Sequence, residues 1–316
     1  MSEPAPPSPA TMRERFVAWL ELPAPLLRLE IVRILAPLAV LGFMSPRLAY
    51  ADEWLGLAGF RVPDLGGDMR QPIYIPGLPS EVVWTFAAVM VVSGLLCSLG
   101  VRTRQSALVF AATLVFVTLS DRHAAFTVSK ISPIVMVAVA AAPAGQRLGV
   151  DSWLALRRGG ALPAREAPQG SLRFIQLFVP IFYCASGVAK ARGEWLTNRF
   201  VLYSHLHDSY QTSVSWFLAN HTPAWSWTGL QVLVLALETL APLWFALRAT
   251  RTTAWVLAMG MHVMIGLMFG PVLWFALLMM TLGTAAFMPP WMLAPLERLA
   301  GRFEARWVVR PSAVAP

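Results

Sequence analysis

Residues 80–99, SEVVWTFAAVMVVSGLLCSL, constrain this chain more than any other stretch: twenty residues with a single charge, at Glu81. A helix of that length is about 30 Å long, the thickness of a bilayer's hydrocarbon core. Inside lipid every backbone N–H and C=O must be satisfied internally, so a run of this kind forms a helix or does not cross. Comparable runs recur at 26–44, 106–119, 131–144, 172–189, 229–247, 253–270 and 272–287. One soluble core could not cover them all, and a composition of 57% hydrophobic and 13% charged residues places the chain among membrane proteins. The expected fold is all-α, a polytopic transmembrane helical bundle of about eight spans with interfacial amphipathic helices.

The stretches around these runs divide the chain into a tail at 1–25, a membrane domain at 26–290 and a C-terminal segment at 291–316. The first is rich in Pro, Ser and Ala and is expected to be disordered. The segment 47–79 is expected to be a long loop with an interfacial turn of helix around Trp54, Leu57 and Phe60. The stretch 146–170 is expected to be a basic surface loop, and 192–227, where aromatics alternate with polar groups, a set of half-immersed helices. In 291–316, Leu293, Leu296, Leu299, Phe303 and Trp307 fall along one helical face among arginines, the pattern of a membrane-surface helix. The run 26–44 carries Arg28, Glu30 and Arg33, and Glu30 can pair with Arg33 one turn on. A secretory signal is the rival reading, since 34–43 has the length of its apolar core and Ala49-Tyr50-Ala51 resembles a cleavage site. An acid and two arginines so close to the apolar core fit a polar helix interface better, so the run is taken as a retained span.

The net charge of +8 comes from arginines in short groups between apolar runs, the pattern of cytoplasmic loops, and nucleic acid is not an expected partner. Eight spans with both termini cytoplasmic place Arg102, Arg104, Arg147, Arg157, Arg158, Arg165, Arg248 and Arg251 inside. His123, Lys130, Lys190, His205, His207 and His221 then lie outside, with Glu238 and His262 deeper in the sixth and seventh spans. Buried ionisable groups need partners or water, and contact between Glu238 and His262 is the structural expectation for that pair. Cys97 and Cys184 lie inside apolar runs, where a thiol is a small hydrophobe. His205 and His207 are two apart, a strand spacing and not a helical one, so no metal site is expected there.

Lys190 stands out because it and Lys130 are the only lysines among 25 basic residues. An arginine keeps its charge, whereas a desolvated lysine can lose its proton and act as a base. Two readings stay open: an anchor with its ammonium in the headgroup region, or a neutral amine in a pocket. His123 falls on the same side and could join Lys190 in one external cavity.

The segment around this lysine, SGVAKARGEWLTNRF, resembles part of the vitamin K-dependent gamma-carboxylase and its bacterial relatives, the HTTM (horizontally transferred transmembrane) family. SDRHAAF resembles that family's earlier polar turn, and the tract from Glu238 through RATRT to MHVMIGLMFGPVLWFALL resembles its late helix pair. The resemblance covers about 26–290. It implies a helical enzyme of the bacterial plasma membrane with an external pocket for a quinol-like lipid, a reduced menaquinone or vitamin K-like quinol. Lys190 would be the base, His123 its support, and Glu238, His262, Trp195 and Tyr183 the binding wall. Membrane lipids and a small protein or peptide substrate would be its partners, and no metal is implied. The rival classes are a non-catalytic lipid- or quinone-binding protein, in signalling or toxin immunity, and a transporter. The inner half offers little beyond Glu30 and Arg33 for a polar path, and no inverted repeat is visible.

Overall fold

A computed structural model describes residues 11–57, 59, 75–120, 126–207 and 210–307. The chain runs α1 (Met12–Glu21), β1 (Pro23–Pro25), α2 (Leu27–Ala49), α3 (Ala51–Leu55), α4 (Ser80–Leu99), α5 (Thr103–Ser120), α6 (Thr127–Ala141) and α7 (Val150–Arg157). It continues β2 (Glu166–Pro168), α8 (Gly170–Arg192), α9 (Val201–His205), α10 (Ser213–His221), α11 (Ala224–Thr239), α12 (Ala241–Ala246), α13 (Arg248–Met268), α14 (Leu273–Phe287) and α15 (Pro290–Ala305). The two strands form one short antiparallel pair with Ala24 opposite Ala167.

Among the described residues four helical segments are long and apolar enough to cross a membrane: Ser80–Leu99, Thr103–Ser120, Gly170–Arg192 and Gly270–Phe287. The other expected spans are helical too, but each departs from a simple crossing. Helix α2 carries four charges, α6 is short, and α13 holds Arg248, Arg251 and His262. The expected span 229–247 is split at Leu240, because Pro242 has no N–H to continue the hydrogen-bond ladder. Large side chains such as Ile181 and Val232 face outward, 61% and 62% exposed, where only lipid would cover them.

Helix α2 lies at the heart of the bundle. Leu29, Val32, Ala36, Val40 and Met44 are fully buried, against α4, α6 and α14. Cleavage after Ala51 would therefore remove a helix that the core is built around. Three of the charges of α2, Arg28, Glu30 and Arg33, are buried with it, and the two arginines close the ends of its neighbours. Arg28 donates to the carbonyls of Ala285 and Met288 at the end of α14 (2.8 and 2.7 Å). Arg33 donates to Cys97 and Ser98 at the end of α4 (3.1 and 2.5 Å), to Leu148 (2.9 Å), and to Glu30 (2.6 Å). Carbonyls at a helix C-terminus have no partner within the helix and carry partial negative charge, so a guanidinium there satisfies both needs. Helix α4 itself ends in a Schellman turn at Gly100, φ +74°, where the amides of Gly100 and Val101 return to Cys97 and Leu96. A Cβ at Gly100 would lie 2.5 Å from the Gly149 backbone and 2.9 Å from Arg33, so that corner also needs glycine for space.

Several expectations are corrected here. Of the tail 1–25, residues 1–10 lie outside the described residues, while α1 carries a full capping box between Thr11 and Glu14 and 23–25 pair with 166–168. Arg147 is not on a surface loop but fully buried, bonded to Glu304 (2.8 and 3.2 Å) and Glu297 (2.7 Å). Burial opposes its charge, yet the hydrogen bonds to these two carboxylates more than offset that and raise its pKa. Glu304 and Glu297 thus pin α15 to the bundle through the face that also buries Leu293 and Ala300, while Leu296, Leu299 and Phe303 point away. The predicted apolar stripe is split between these two faces.

Candidate functional site

The stretch expected to be half-immersed folds into a small cap. A turn at Glu194–Leu196, α9, α10 and the start of α11 share a separate apolar cluster of Leu202, Leu206, Ala219, Trp227 and Met268. Gln231, 3% exposed, ties this cap to α11: its amide donates to the carbonyls of Trp195 (2.8 Å) and Asn198 (3.0 Å), and its oxygen accepts from the Leu202 amide (3.2 Å). On the other side Thr212 donates to Leu267 (2.7 Å) and Gln211 bridges to Phe269. The cap therefore spans from α11 to α13, and beneath it lies a cavity of about 590 Å³.

Leu, Val, Ile and Met side chains of α11 and α13 make most of the cavity wall, joined by Trp195, Leu202, His205 and Tyr210 from the cap. Its charged groups are Lys190 and Glu238. Lys190, on the last turn of α8, forms an ion pair with Glu238 and donates to Ser186 Oγ at 3.0 Å, with its ammonium 5.3 Å from the centre of the Trp195 ring. Its side chain is 25% exposed and that of Glu238 7%. An ammonium has three protons, and among the described residues two are taken, so one remains for the cavity.

A glycine brings this pair together. A Cβ at Gly187 would lie 2.5 Å from the amide nitrogen and 2.6 Å from Oγ1 of Thr239, so α8 and α11 touch backbone to backbone one residue beyond Glu238. Small residues allow such approaches between membrane helices. Gly187 lies within the motif around Lys190, yet nothing in the sequence marks it or Gln231 as part of a site. A small residue three positions before a lysine is too common a pattern to mark a contact that depends on a distant helix.

Glu238 and His262 do not pair. His262, 1% exposed, shares a 2.7 Å hydrogen bond with Tyr183 Oη through Nε2, stacks on the Tyr183 ring and meets Phe275 edge-on. Its Nδ1 has no hydrogen-bond partner among the described residues. Glu238 turns instead to Lys190, because an ion pair compensates a buried carboxylate better than a neutral ring does. The two pairs share α8, on which Tyr183 and Lys190 stand about two turns apart.

The remaining candidates are placed as follows. His123 lies outside the described residues. Lys130 is exposed on α6, His205 lines the cavity, and His207 packs edge-on against Tyr203. His221 stacks on Phe217 at the end of α10. Among the described residues no group of three His, Cys, Asp or Glu side chains could hold a metal ion.

The arrangement places an ion-paired amine and carboxylate at the wall of an otherwise apolar chamber. No curated protein and no solved structure matches this chain. The HTTM domain model matches residues 73–291, from before α4 to the first turn of α15, and with most of its length so matched this integral membrane protein belongs to the HTTM domain family.

Proposed function

We propose that the protein is a gamma-carboxylase-like enzyme of a bacterial plasma membrane, both termini cytoplasmic, that binds a quinol-like lipid in the α11–α13 cavity with Lys190 as its base. The observation that carries this reading is the Lys190–Glu238 pair at the wall of an otherwise apolar chamber. A reduced menaquinone or vitamin K-like quinol, when bound, would supply the electrons for reaction with oxygen. The protein's own part is proton handling. In a water-exposed cavity the pair is an ammonium and a carboxylate. An apolar ligand that displaces water makes two charges costly, and the shift of one proton from Lys190 to Glu238 leaves a neutral amine and a neutral acid. Lys190 is then a base within reach of the ligand's hydroxyl, while Ser186 and the Trp195 ring hold its position. Tyr183 and His262, expected in the binding wall, bond to each other at 2.7 Å and are not among the residues that line the cavity.

The test is Lys190→Arg, which keeps charge and approximate length but cannot become neutral. Expected are normal expression and melting temperature, with loss of the gene's deletion-rescue phenotype and of oxygen uptake by membranes given reduced menaquinone. A second reading is favoured by one feature, that the amine is already held as an ion pair: a non-catalytic lipid-binding protein that uses Lys190 as a fixed cation. Full rescue by the arginine variant at normal protein levels would select it.

A further inference from the structure

The cavity lies between two helices that do not close against each other on their outer side. Cavity-lining residues Leu233 of α11 and Val256, Leu257 and Met264 of α13 are 47%, 53%, 40% and 36% exposed, so the same side chains face the chamber and the bilayer. Gly260 sits among them in the middle of α13, exposed and also lining the cavity, and a Cβ there would meet nothing within 4 Å. Glycine in a helix interior costs about 1 kcal/mol relative to alanine and is normally explained by tight packing. At Gly260 there is no packing to explain it; what its missing side chain leaves is open space at the mouth of the cleft. Above, the cap is tied to both helices by Gln231 and Thr212.

We infer that the cavity is loaded sideways from the bilayer through the gap between α11 and α13, with Gly260 as its threshold, and that it takes a single-chain amphiphile with an oxygen-bearing head. The tail enters between the helices against Leu233, Val256 and Met264. The head stops at Lys190 and Glu238, whose remaining hydrogen-bonding capacity faces the chamber. A volume of about 590 Å³ lies in the range of small-molecule sites, roughly 300–1,000 Å³, and suits one chain. This deepens the quinol reading by naming the route and ligand shape, but it requires only binding and no turnover.

The test uses the full-length protein in proteoliposomes with a diazirine-bearing hexadecanoic acid as probe, with crosslinks mapped by peptide mass spectrometry. Leu237 and Met261 line the cavity, and Leu237 is only 8% exposed. Wild type should give crosslinks at these positions that excess unlabelled hexadecanoic acid competes away. Gly260→Trp should reduce them at least fivefold without changing the melting temperature. Gly229→Trp should not, because Gly229 on α11 has the same open space but does not line this cavity. Undiminished crosslinks in a folded Gly260→Trp protein, equal loss with Gly229→Trp, or no competable crosslinks in wild type would overturn the proposal. Crosslinking reads binding without turnover, so competable crosslinks in a wild-type protein that shows no oxygen uptake would keep the route and overturn only the quinol reading.

Discussion

Two groups of buried charge lie in this bundle, and they differ in what their spare valences face. In the group around α2, the Arg33 guanidinium is used by Glu30 and three backbone carbonyls, and Glu30 also accepts from the amides of Gly145 (2.8 Å) and Arg147 (3.2 Å). Arg147 in turn is filled by Glu297 and Glu304. The Glu30, Arg33 and Arg147 side chains all end on protein, although Glu297 Oε1 has no hydrogen-bond partner among the described residues, and the group closes helix ends that lipid could not satisfy. In the second group Lys190 and Glu238 pair across two helices, but beside a chamber, with one ammonium proton uncommitted among the described residues. A buried charge is therefore no sign of function in itself. A buried charge with hydrogen-bonding capacity left over, next to a void, is.

That contrast can be broken most directly through stability. Arg33→Met leaves Glu30 buried without its partner and should cost about 3–5 kcal/mol, the usual penalty for breaking a fully buried pair. Lys190→Met should cost less, about 1–3 kcal/mol, because its side chain is partly exposed and Glu238 can recruit water from the cavity. Denaturant titration in detergent measures both, and equal losses would show that the two groups are alike.

A smaller effect is expected at the contact that assembles the second group. Gly187→Ala must move α11 away from α8 and should cost about 1–3 kcal/mol as an overpacked site. Its sharper consequence is functional: with Lys190 and Glu238 drawn apart, rescue should be lost as in Lys190→Arg, while Gly229→Ala, in open space, should rescue fully. A Gly187→Ala protein with normal rescue would show that close approach does not set the pair.

The smallest effect concerns Tyr183 and His262. A double-mutant cycle on Tyr183→Phe and His262→Leu should show coupling of about 0.5–1.5 kcal/mol, the worth of one hydrogen bond. The cycle on Glu238→Gln and His262→Leu should be additive within about 0.5 kcal/mol, since those residues share no hydrogen bond. The reverse ranking would restore the Glu238–His262 pairing that the spacing along the chain had suggested.

Helix positions were legible from the sequence because apolar run length is a local property: a run such as 80–99 has nothing else to become in lipid, and α4 occupies that range. The Glu30–Arg33 pair was legible for the same reason, being one helical turn apart. Lys190 could be singled out because lysine is so rare here. Its partner could not, since Glu238 lies 48 residues away and the choice among Lys190, His262 and water depends on how α8 and α11 meet. The apolar face of α15 was visible as a pattern, but its split into a docked and an outward side depended on Arg147, 157 residues before Glu304. Local chemistry thus determined which segments are helices and which side chains carry usable charge. Only tertiary packing decided which charges meet, because desolvation leaves each buried ion dependent on whatever partner the neighbouring helix presents, and that choice left Lys190 and Glu238 facing the cavity and the α2 cluster sealed.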